Sequence, residues 1–249
     1  MKYLVLLSIL ALMGGSCKKT GYYPLTGGGS LTIVNAVVGT SGLIPNFNPP
    51  GSGKGPAPLQ WYTDGYWIGY GSTQEISSYF GMTPLALCDI SDTSINLWVG
   101  TLNLQKNSMY SLFVIGADTT HIDTLFTLDL PHAYDTQDSS VGVRFVNLSP
   151  GSAPISVDIS GNPNGSEVAS LPYKGITNFT DYSANYAIKS RVFEFRDQAS
   201  GTLLATYNMT GLSNGAGTNT ATNTWRFRNV TIALGGVPGQ QGTFLEKNY

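Results

Sequence analysis

Aromatic side chains are concentrated in one short stretch of the chain. Residues 61–80 contain seven of them: Trp61, Tyr62, Tyr66, Trp67, Tyr70, Tyr79 and Phe80. Exposed aromatic faces can stack on sugar rings, so a row of them can form a carbohydrate-binding platform. Asp64-Gly65 separates two aromatic runs and is typical of a tight β-hairpin turn. The sequence therefore predicts an aromatic hairpin over Trp61–Tyr70, with Trp61, Tyr62, Tyr66, Trp67 and Tyr70 as candidate ligand-binding residues.

The same residues also have a structural interpretation. Cross-strand aromatic pairs stabilise hairpins by about 0.2–1 kcal/mol, and small β-sandwiches bury large aromatic side chains in their cores. Alternation places Tyr66, Ile68 and Tyr70 on one face of the strand and Trp67 on the other. At least one face therefore belongs to the core. Core packing is favoured over ligand binding, and both roles stay open.

Residues suited to hydrolysis or metal binding are sparse. His121 and His132 have no evident triad context, and their spacing does not define a zinc site. Glu75 and Glu194 are candidates for a glycosidase carboxylate pair only by elimination. We therefore assign no catalytic residue, no metal ligand and no cofactor, and we rank an enzyme as the least favoured class.

The amino terminus has the pattern of an export signal. Met1-Lys2 and an apolar run over Tyr3–Met13 precede Gly14-Gly15-Ser16-Cys17, which is the order of a secretory signal and its small-residue cleavage site. The apolar run is roughly half the ~20 residues needed to span a bilayer. A cysteine directly after the small residues resembles a bacterial lipobox, which implies removal of residues 1–16 and lipidation of Cys17. In the alternative interpretation, an ordinary signal peptide, Cys17 is incidental.

Charge and cysteine content restrict the classes of partner. Removing residues 1–16 leaves 12 basic and 15 acidic residues, a net charge of −3. This weak and mixed charge argues against nucleic acid and against an anionic membrane surface as partners. Lipidation of Cys17 would leave Cys88 as the only other cysteine, so no internal disulfide is expected, and we interpret Cys88 as a small buried hydrophobe.

Three segment pairs indicate an internal duplication. They are Leu31–Asn35 with Val143–Asn147 at an offset of 112, Ala57–Gly65 with Ala153–Gly161 at 96, and Tyr110–Val114 with Val230–Leu234 at 120. The matches are collinear, with a Gly/Pro-rich insertion over 40–55 in the first copy. Collinear repeats of about 100 residues indicate two copies of one unit.

The pattern of short strands and frequent turns predicts the fold class. We expect an all-β protein with two tandem antiparallel immunoglobulin-like β-sandwich domains. The predicted organisation is a signal peptide at 1–16, a flexible tether at 17–30, a first β-sandwich repeat at 31–130, a boundary within 129–140, a second β-sandwich repeat at 141–236 and a C-terminal tail at 237–249.

One stretch of the second copy is similar to a known family. Val143–Pro154, followed by Val157-Asp158, resembles the opening of the domain of unknown function 4397 family: a strand ending in Asn or His, a Ser-Pro turn and an Asp-bearing strand. The closing strand of that family resembles Tyr110–Gly116. Two such units behind a lipobox resemble envelope lipoproteins of the Bacteroidota. The resemblance implies a β-sandwich outside the cytoplasm and supplies no catalytic residues.

These observations set the functional expectation. We expect a non-enzymatic lipoprotein anchored in the outer membrane through its N-terminal lipid, acting as an adhesion or interaction module for a glycan or an envelope protein. The alternative is a carbohydrate-binding module of a glycan-uptake system that uses the Trp61–Tyr70 hairpin. Lys18-Lys19 lacks the acidic run that resembles a surface-export signal, which favours the periplasmic face over the cell surface.

Overall fold

The computed structural model describes residues 28–47, 67–78, 80–135, 139–215 and 221–248. Within these ranges the chain forms fifteen strands and no helix, so none of them holds a helix that could span a bilayer. The strands are β1 (Gly29–Val37), β2 (Leu43–Asn46), β3 (Thr73–Ser78), β4 (Gly81–Asp89), β5 (Asp92–Leu104), β6 (Met109–Gly116), β7 (Ile122–Asp129), β8 (Ser140–Asn147), β9 (Ile155–Ile159), β10 (Val168–Leu171), β11 (Thr180–Ser183), β12 (Ser190–Asp197), β13 (Leu203–Thr210), β14 (Arg228–Gly235) and β15 (Gly242–Asn248). The predicted all-β fold is confirmed.

The first unit, residues 29–129, consists of two packed sheets. Inner sheet 1 has the strand order β3-β1-β6-β7, and outer sheet 1 has the order β2-β4-β5. Their facing sides form an apolar core in which Ile33 and Leu112 of the inner sheet meet Leu85 and Leu102 of the outer sheet. The thiol of Cys88 is buried in β4 and forms no disulfide.

The second unit, residues 140–248, is built in the same way. Inner sheet 2 has the order β11-β8-β14-β15, and outer sheet 2 has the order β10-β9-β12-β13. Phe145 of the inner sheet lies edge-on to Phe193 and Phe195 of the outer sheet, with ring centroids 5.1 and 6.0 Å away. Such edge-to-face aromatic pairs add to the free energy of burial.

Each inner sheet contains one parallel strand pair. β1 runs parallel to β6 with Leu31 opposite Tyr110, and β8 runs parallel to β14 with Val143 opposite Val230. These positions are related by the offsets of 112 and 120 between the matched sequences. The inner sheets are mixed rather than purely antiparallel. After β1 or β8 the chain crosses to the outer sheet twice: it returns first as the antiparallel edge strand β3 or β11, and then as β6 or β14, which runs parallel to the first strand.

An asparagine near the end of the first strand in each unit has the same bonding pattern. The amide Nδ2 of Asn35 donates to the carbonyl of Ile68, and its Oδ1 accepts from the backbone N–H of Val37. Asn147 donates to the carbonyl of Leu171 and accepts from the N–H of Ser149. Both side chains are fully buried. Each therefore satisfies backbone groups that would otherwise be buried without partners.

The two units pack against each other through their inner sheets. The contacting face of each inner sheet is the one turned away from the core of its own unit. Val34 and Phe113 of inner sheet 1 contact a cluster that includes Val146, Ala233 and Phe244 of inner sheet 2. Four sheets are thus stacked in the order outer 1, inner 1, inner 2, outer 2. The central strands of the inner sheets are consequently buried on both faces.

Three predicted boundaries differ in the structure. The predicted C-terminal tail at 237–249 contains β15, an edge strand of inner sheet 2 in which Glu246 and Asn248 are fully buried. The predicted insertion at 40–55 contains β2, which pairs with β4, and β1 begins at Gly29, inside the predicted tether. In each case the segment forms a strand because its backbone N–H and C=O groups pair with a neighbouring strand, and the local sequence pattern does not reveal that pairing.

Candidate ligand-binding cleft

The structure covers only part of the predicted aromatic hairpin. Cys17 and the aromatic residues Trp61, Tyr62 and Tyr66 lie outside the described residues, as do residues 48–66 as a whole. Trp67 and Tyr70 lie within them. Only these two members of the predicted site have described positions.

Trp67 is placed at the surface next to a buried neighbour. Its side chain is 50% exposed, whereas Ile68 is 2% exposed and its backbone N–H and carbonyl both bond to Leu43 at 2.9 Å. The indole packs on Gly42, where an added Cβ would lie 2.3 Å from Trp67 Cδ1. Trp67 therefore presents one side to solvent from a fixed backbone position.

Tyr70 lies at the junction between the two units. A turn at Gly69–Ser72 interrupts the alternation, and Tyr70 is 44% exposed although it was expected to share a face with Ile68. Its ring lies edge-on to Phe244 of β15 with centroids 6.2 Å apart, and partial burial raises the pKa of its hydroxyl. Tyr70 thus contributes to contact between the units, and the expected pairing of Ile68 and Tyr70 on one face is wrong.

A cleft of about 750 Å³ opens elsewhere, between the edge strands of the two sheets of the second unit. This volume lies within the ~300–1,000 Å³ range of small-molecule sites. The cleft is lined by Tyr207, Thr222, Asn223, Thr224, Trp225, Arg226, Phe227, Arg228, Asn229, Val230, Leu245 and Lys247. We call it the edge cleft.

Edge strands β13 and β15 form the two sides of the edge cleft. The hydroxyl of Thr243 donates to the carbonyl of Thr206 at 2.7 Å and joins the two strands beside the cleft. Lys247 lies directly opposite Val230 in the β14–β15 ladder. Alternation puts Arg228 on the same face as Val230, so the Cβ atoms of Arg228 and Lys247 are about 7 Å apart.

The segment leading into β14 supplies the aromatic lining. The side chain of Asn223 donates to the carbonyls of Ala184 and Leu212 and accepts from the backbone N–H of Trp225. Trp225 Nε1 in turn donates to the carbonyl of Thr210 at 2.6 Å. These bonds fix the indole against the rim of the cleft.

Phe227 extends the aromatic lining towards solvent. Its φ of 59° lies in the left-handed region, which is uncommon for a bulky residue. Its side chain is 45% exposed, and its backbone N–H donates to the carbonyl of Ser140 at 3.0 Å. The bond to β8 holds a conformation that orients a hydrophobic ring outward.

The edge cleft is positively charged. Arg226, Arg228 and Lys247 line it, and no aspartate or glutamate of the described residues does. Within the described part of the chain, none of these three cations forms an ion pair. Arg226 instead lies over the ring of Tyr186 at 3.8 Å, and its Nη2 is buried with no hydrogen-bond partner among the described residues. The cleft therefore offers both aromatic faces and uncompensated positive charge.

The other side of inner sheet 2 carries a buried ionic group, which we call the interface cluster: Ser111, Asp129, Arg144, Thr231 and Glu246. Arg144 donates from Nη1 to Asp129 at 2.6 Å and from Nε to Thr231 at 2.7 Å, and its Nη2 lies 3.6 Å from Glu246. All five residues are buried. The cluster joins strands of both units, so it is a structural feature of their interface.

Hydrogen-bond geometry assigns a proton to the interface cluster. The hydroxyl of Ser111 lies 2.6 Å from Asp129 Oδ2 and 2.6 Å from Glu246 Oε1, although it has only one hydrogen to donate. Both short contacts are satisfied when one carboxyl group is protonated and donates to Ser111. Burial raises the pKa of Glu246 to about 7, and the favourable charge of Arg144 offsets this only in part. Glu246 therefore carries this proton at pH values below about 7.

The remaining candidates for chemistry lie apart from the edge cleft and from one another. His121 bonds to Asp118 at 3.0 Å in an exposed loop, and His132 bonds to Asp181 at 2.7 Å. No group of three His, Cys, Asp or Glu side chains among the described residues could hold a metal ion.

The two glutamates proposed by elimination are in different sheets. Glu75 accepts a bond from Ser30 on inner sheet 1, and Glu194 bonds to Arg196 on outer sheet 2. Inner sheet 2 lies between them. The structure therefore does not bring them together as a carboxylate pair.

One motif that resembles a catalytic serine motif was missed from the sequence. Gly211-Leu212-Ser213-Asn214-Gly215 has the spacing of a nucleophile elbow, which requires a strand, a sharp turn and a following helix. Here β13 leads into a turn closed by the N–H of Asn214 bonding to the carbonyl of Gly211, with no helix in the described residues that follow. The pattern therefore lacks the structural context of an elbow.

The edge cleft was also missed from the sequence. The available signal was the run Trp225-Arg226-Phe227-Arg228, which alternates aromatic and cationic residues. Tyr207 and Lys247 could not be added to it, because β13 and β15 belong to different sheets and meet only in the folded unit.

Two comparisons, one with protein-family models and one with curated proteins, give no relative from which a function could be transferred. No protein-family model matches the chain, and no curated protein matches it. The function must therefore be argued from the fold and the edge cleft.

Proposed function

We propose that this chain is a lipoprotein of a bacterial cell envelope, held in the outer membrane through Cys17, and that it acts as a non-enzymatic interaction module. The edge cleft is the observation that carries the binding part of the proposal. Its lining combines fixed aromatic rings with cations that have no acidic partner among the described residues. Concave sites with a few convergent polar groups are the usual form of ligand-binding sites.

The anchor is supported by the sequence of the first seventeen residues. A lipid on Cys17 would hold the two stacked sandwiches at the membrane, with the segment before Gly28 as the connection. Cys17→Ser should release the protein into the soluble fraction and abolish labelling by a metabolic acyl probe. Continued labelling of the serine variant would contradict the lipid anchor.

The binding role is tested with the full-length chain in detergent micelles. A glycan array and a set of purified envelope proteins are screened with the wild type, with Lys247→Glu in the edge cleft and with Lys106→Glu, an exposed lysine of the β5–β6 turn. We expect a ligand whose binding is lost in Lys247→Glu and retained in Lys106→Glu. If every detected ligand binds both variants equally, the edge cleft is not the binding site.

A carbohydrate-binding module based on the aromatic hairpin is the second candidate. The half-exposed indole of Trp67 favours it, because that ring is available to stack on a sugar. Trp67→Ala should cost less than about 2 kcal/mol of unfolding free energy, below the ~3–5 kcal/mol for a buried tryptophan. Loss of glycan binding at nearly unchanged stability would support this candidate, whereas a large drop in melting temperature would make Trp67 a core residue.

A further inference from the structure

We propose that the edge cleft binds an acidic glycan, one whose sugar rings carry carboxylate groups. This inference rests on the proposed binding function and narrows it to a class of ligand. It uses only the edge cleft and does not involve the hairpin at 61–70.

The charge of the cleft selects a negatively charged ligand. Arg228 and Lys247 are exposed, lie on one face of adjacent strands and form no ion pair with a described residue. Two cationic side chains whose Cβ atoms lie about 7 Å apart repel each other, and a bound carboxylate would relieve that repulsion. Arginine also binds carboxylates in a bidentate geometry.

The aromatic lining selects a ligand with rings. Trp225 and Phe227 border the same cleft as the two exposed cations, and Tyr207 lies on the opposite strand. The apolar faces of sugar rings pack on aromatic side chains, while their carboxylates extend sideways towards neighbouring cations. A flexible polyanion without rings would use the charges and leave the aromatic surface uncovered.

The aromatic wall is preorganised for binding. Trp225 is fixed through Nε1 and through Asn223, and Phe227 is held in the left-handed region by its bond to Ser140. A site fixed before binding loses less conformational entropy when the ligand arrives. The net charge of −3 after removal of residues 1–16 disfavours a highly charged polymer such as nucleic acid, whose binding uses many more cations.

The test compares three probes in titrations of the full-length chain in detergent. They are a short oligogalacturonide, its fully methyl-esterified form with the same rings and no charge, and a polyglutamate peptide with the same charge and no sugar ring. We expect the wild type to bind the oligogalacturonide at least about tenfold more tightly than either of the others, a difference of about 1.4 kcal/mol.

Two variants and one control locate the binding to the edge cleft. Lys247→Glu should weaken oligogalacturonide binding at least about tenfold, and Lys106→Glu should leave it unchanged. Phe227→Asn removes the ring while keeping a residue that tolerates a positive φ, so it should weaken binding without changing the unfolding transition. Lys247 and Lys106 are both exposed, and correct folding of each variant is checked by its unfolding transition.

Several outcomes would overturn the inference. They are equal binding of the methyl-esterified form, equal binding of polyglutamate, no binding of any probe, or unchanged affinity in Lys247→Glu. If Lys247→Glu then loses binding of a neutral glycan or of an envelope protein, the proposed binding function is retained and only the assignment of an acidic glycan as the ligand is rejected. If no ligand depends on Lys247, both fail together.

Discussion

The two faces of inner sheet 2 carry positive charge in opposite ways. On the face towards the first unit, Arg144 is buried, stacked on Phe179 at 4.7 Å and bonded to Asp129. On the face towards outer sheet 2, Arg228 and Lys247 are exposed at the edge cleft and have no acidic partner among the described residues. The difference shows which charges hold the fold and which are available to a ligand.

The cost of burying charge explains this difference. A buried cation without a partner would lose several kcal/mol of hydration, so Arg144 is stable only because Asp129 compensates it. Exposed cations keep their hydration and need no internal partner. Uncompensated charge can therefore remain in the edge cleft at little cost in stability.

The largest expected effect is on the buried side. Arg144→Met keeps much of the side-chain volume over Phe179 and removes the charge that compensates Asp129. We expect a loss of about 3–5 kcal/mol of unfolding free energy, because the partner carboxylate is left buried and unpaired. This loss is measured by denaturant-induced unfolding of the wild type and the variant.

The matched control for Arg144→Met is Arg228→Met on the other face of the same sheet. It should change the unfolding free energy by no more than about 0.5 kcal/mol. Equal losses in the two variants would remove the distinction between the two faces.

The second effect is a dependence of stability on pH through Glu246. Burial raises the pKa of this carboxyl group to about 7, so the folded state binds its proton more tightly than the unfolded state does. Its stabilising contribution is present below about pH 4.5 and is lost as the pH rises through about 7. The loss is about 3 kcal/mol.

Glu246→Gln isolates this contribution, because glutamine keeps a neutral side chain at every pH. Relative to wild type, the variant should gain about 3 kcal/mol in stability between pH 5 and pH 8.5. A constant difference between the two proteins across that range would show that Glu246 is already ionised in the folded state.

The smallest effect concerns an ion pair at the same interface that is only partly buried. Lys174 Nζ lies 2.8 Å from Asp123, and both side chains retain more than a third of their exposure. Asp123→Ala should therefore cost less than about 1 kcal/mol, as expected for a solvated ion pair. A cost similar to that of Arg144→Met would mean that location at the interface, and not burial, determines the energy.

Local sequence patterns predicted much of the fold. The runs Leu31–Asn35 and Val143–Asn147 were recognised as corresponding segments, and they occupy equivalent strands with the same register to β6 and β14. Burial of β6 on both faces could have been anticipated, since Leu112-Phe113-Val114-Ile115 is a continuous apolar run of the kind found in fully buried strands.

What could not be predicted depends on contacts between distant segments. Glu246 and Asn248 are polar residues in a C-terminal segment, and only the interface cluster explains their burial. The edge cleft combines Trp225 and Lys247 with Tyr207 from another sheet. Neither arrangement leaves a periodic pattern in the sequence.

The central claim is that one face of inner sheet 2 maintains the structure while the other binds a ligand. Thermal unfolding of the wild type and of Arg228→Met/Lys247→Met, each with and without oligogalacturonide, tests it most directly. Without ligand, the two proteins should unfold at nearly the same temperature. With ligand at about 100 times its Kd, only the wild type should be stabilised, by about 2.7 kcal/mol. A lower melting temperature of the free variant, or an equal ligand-induced rise in both proteins, would contradict the account.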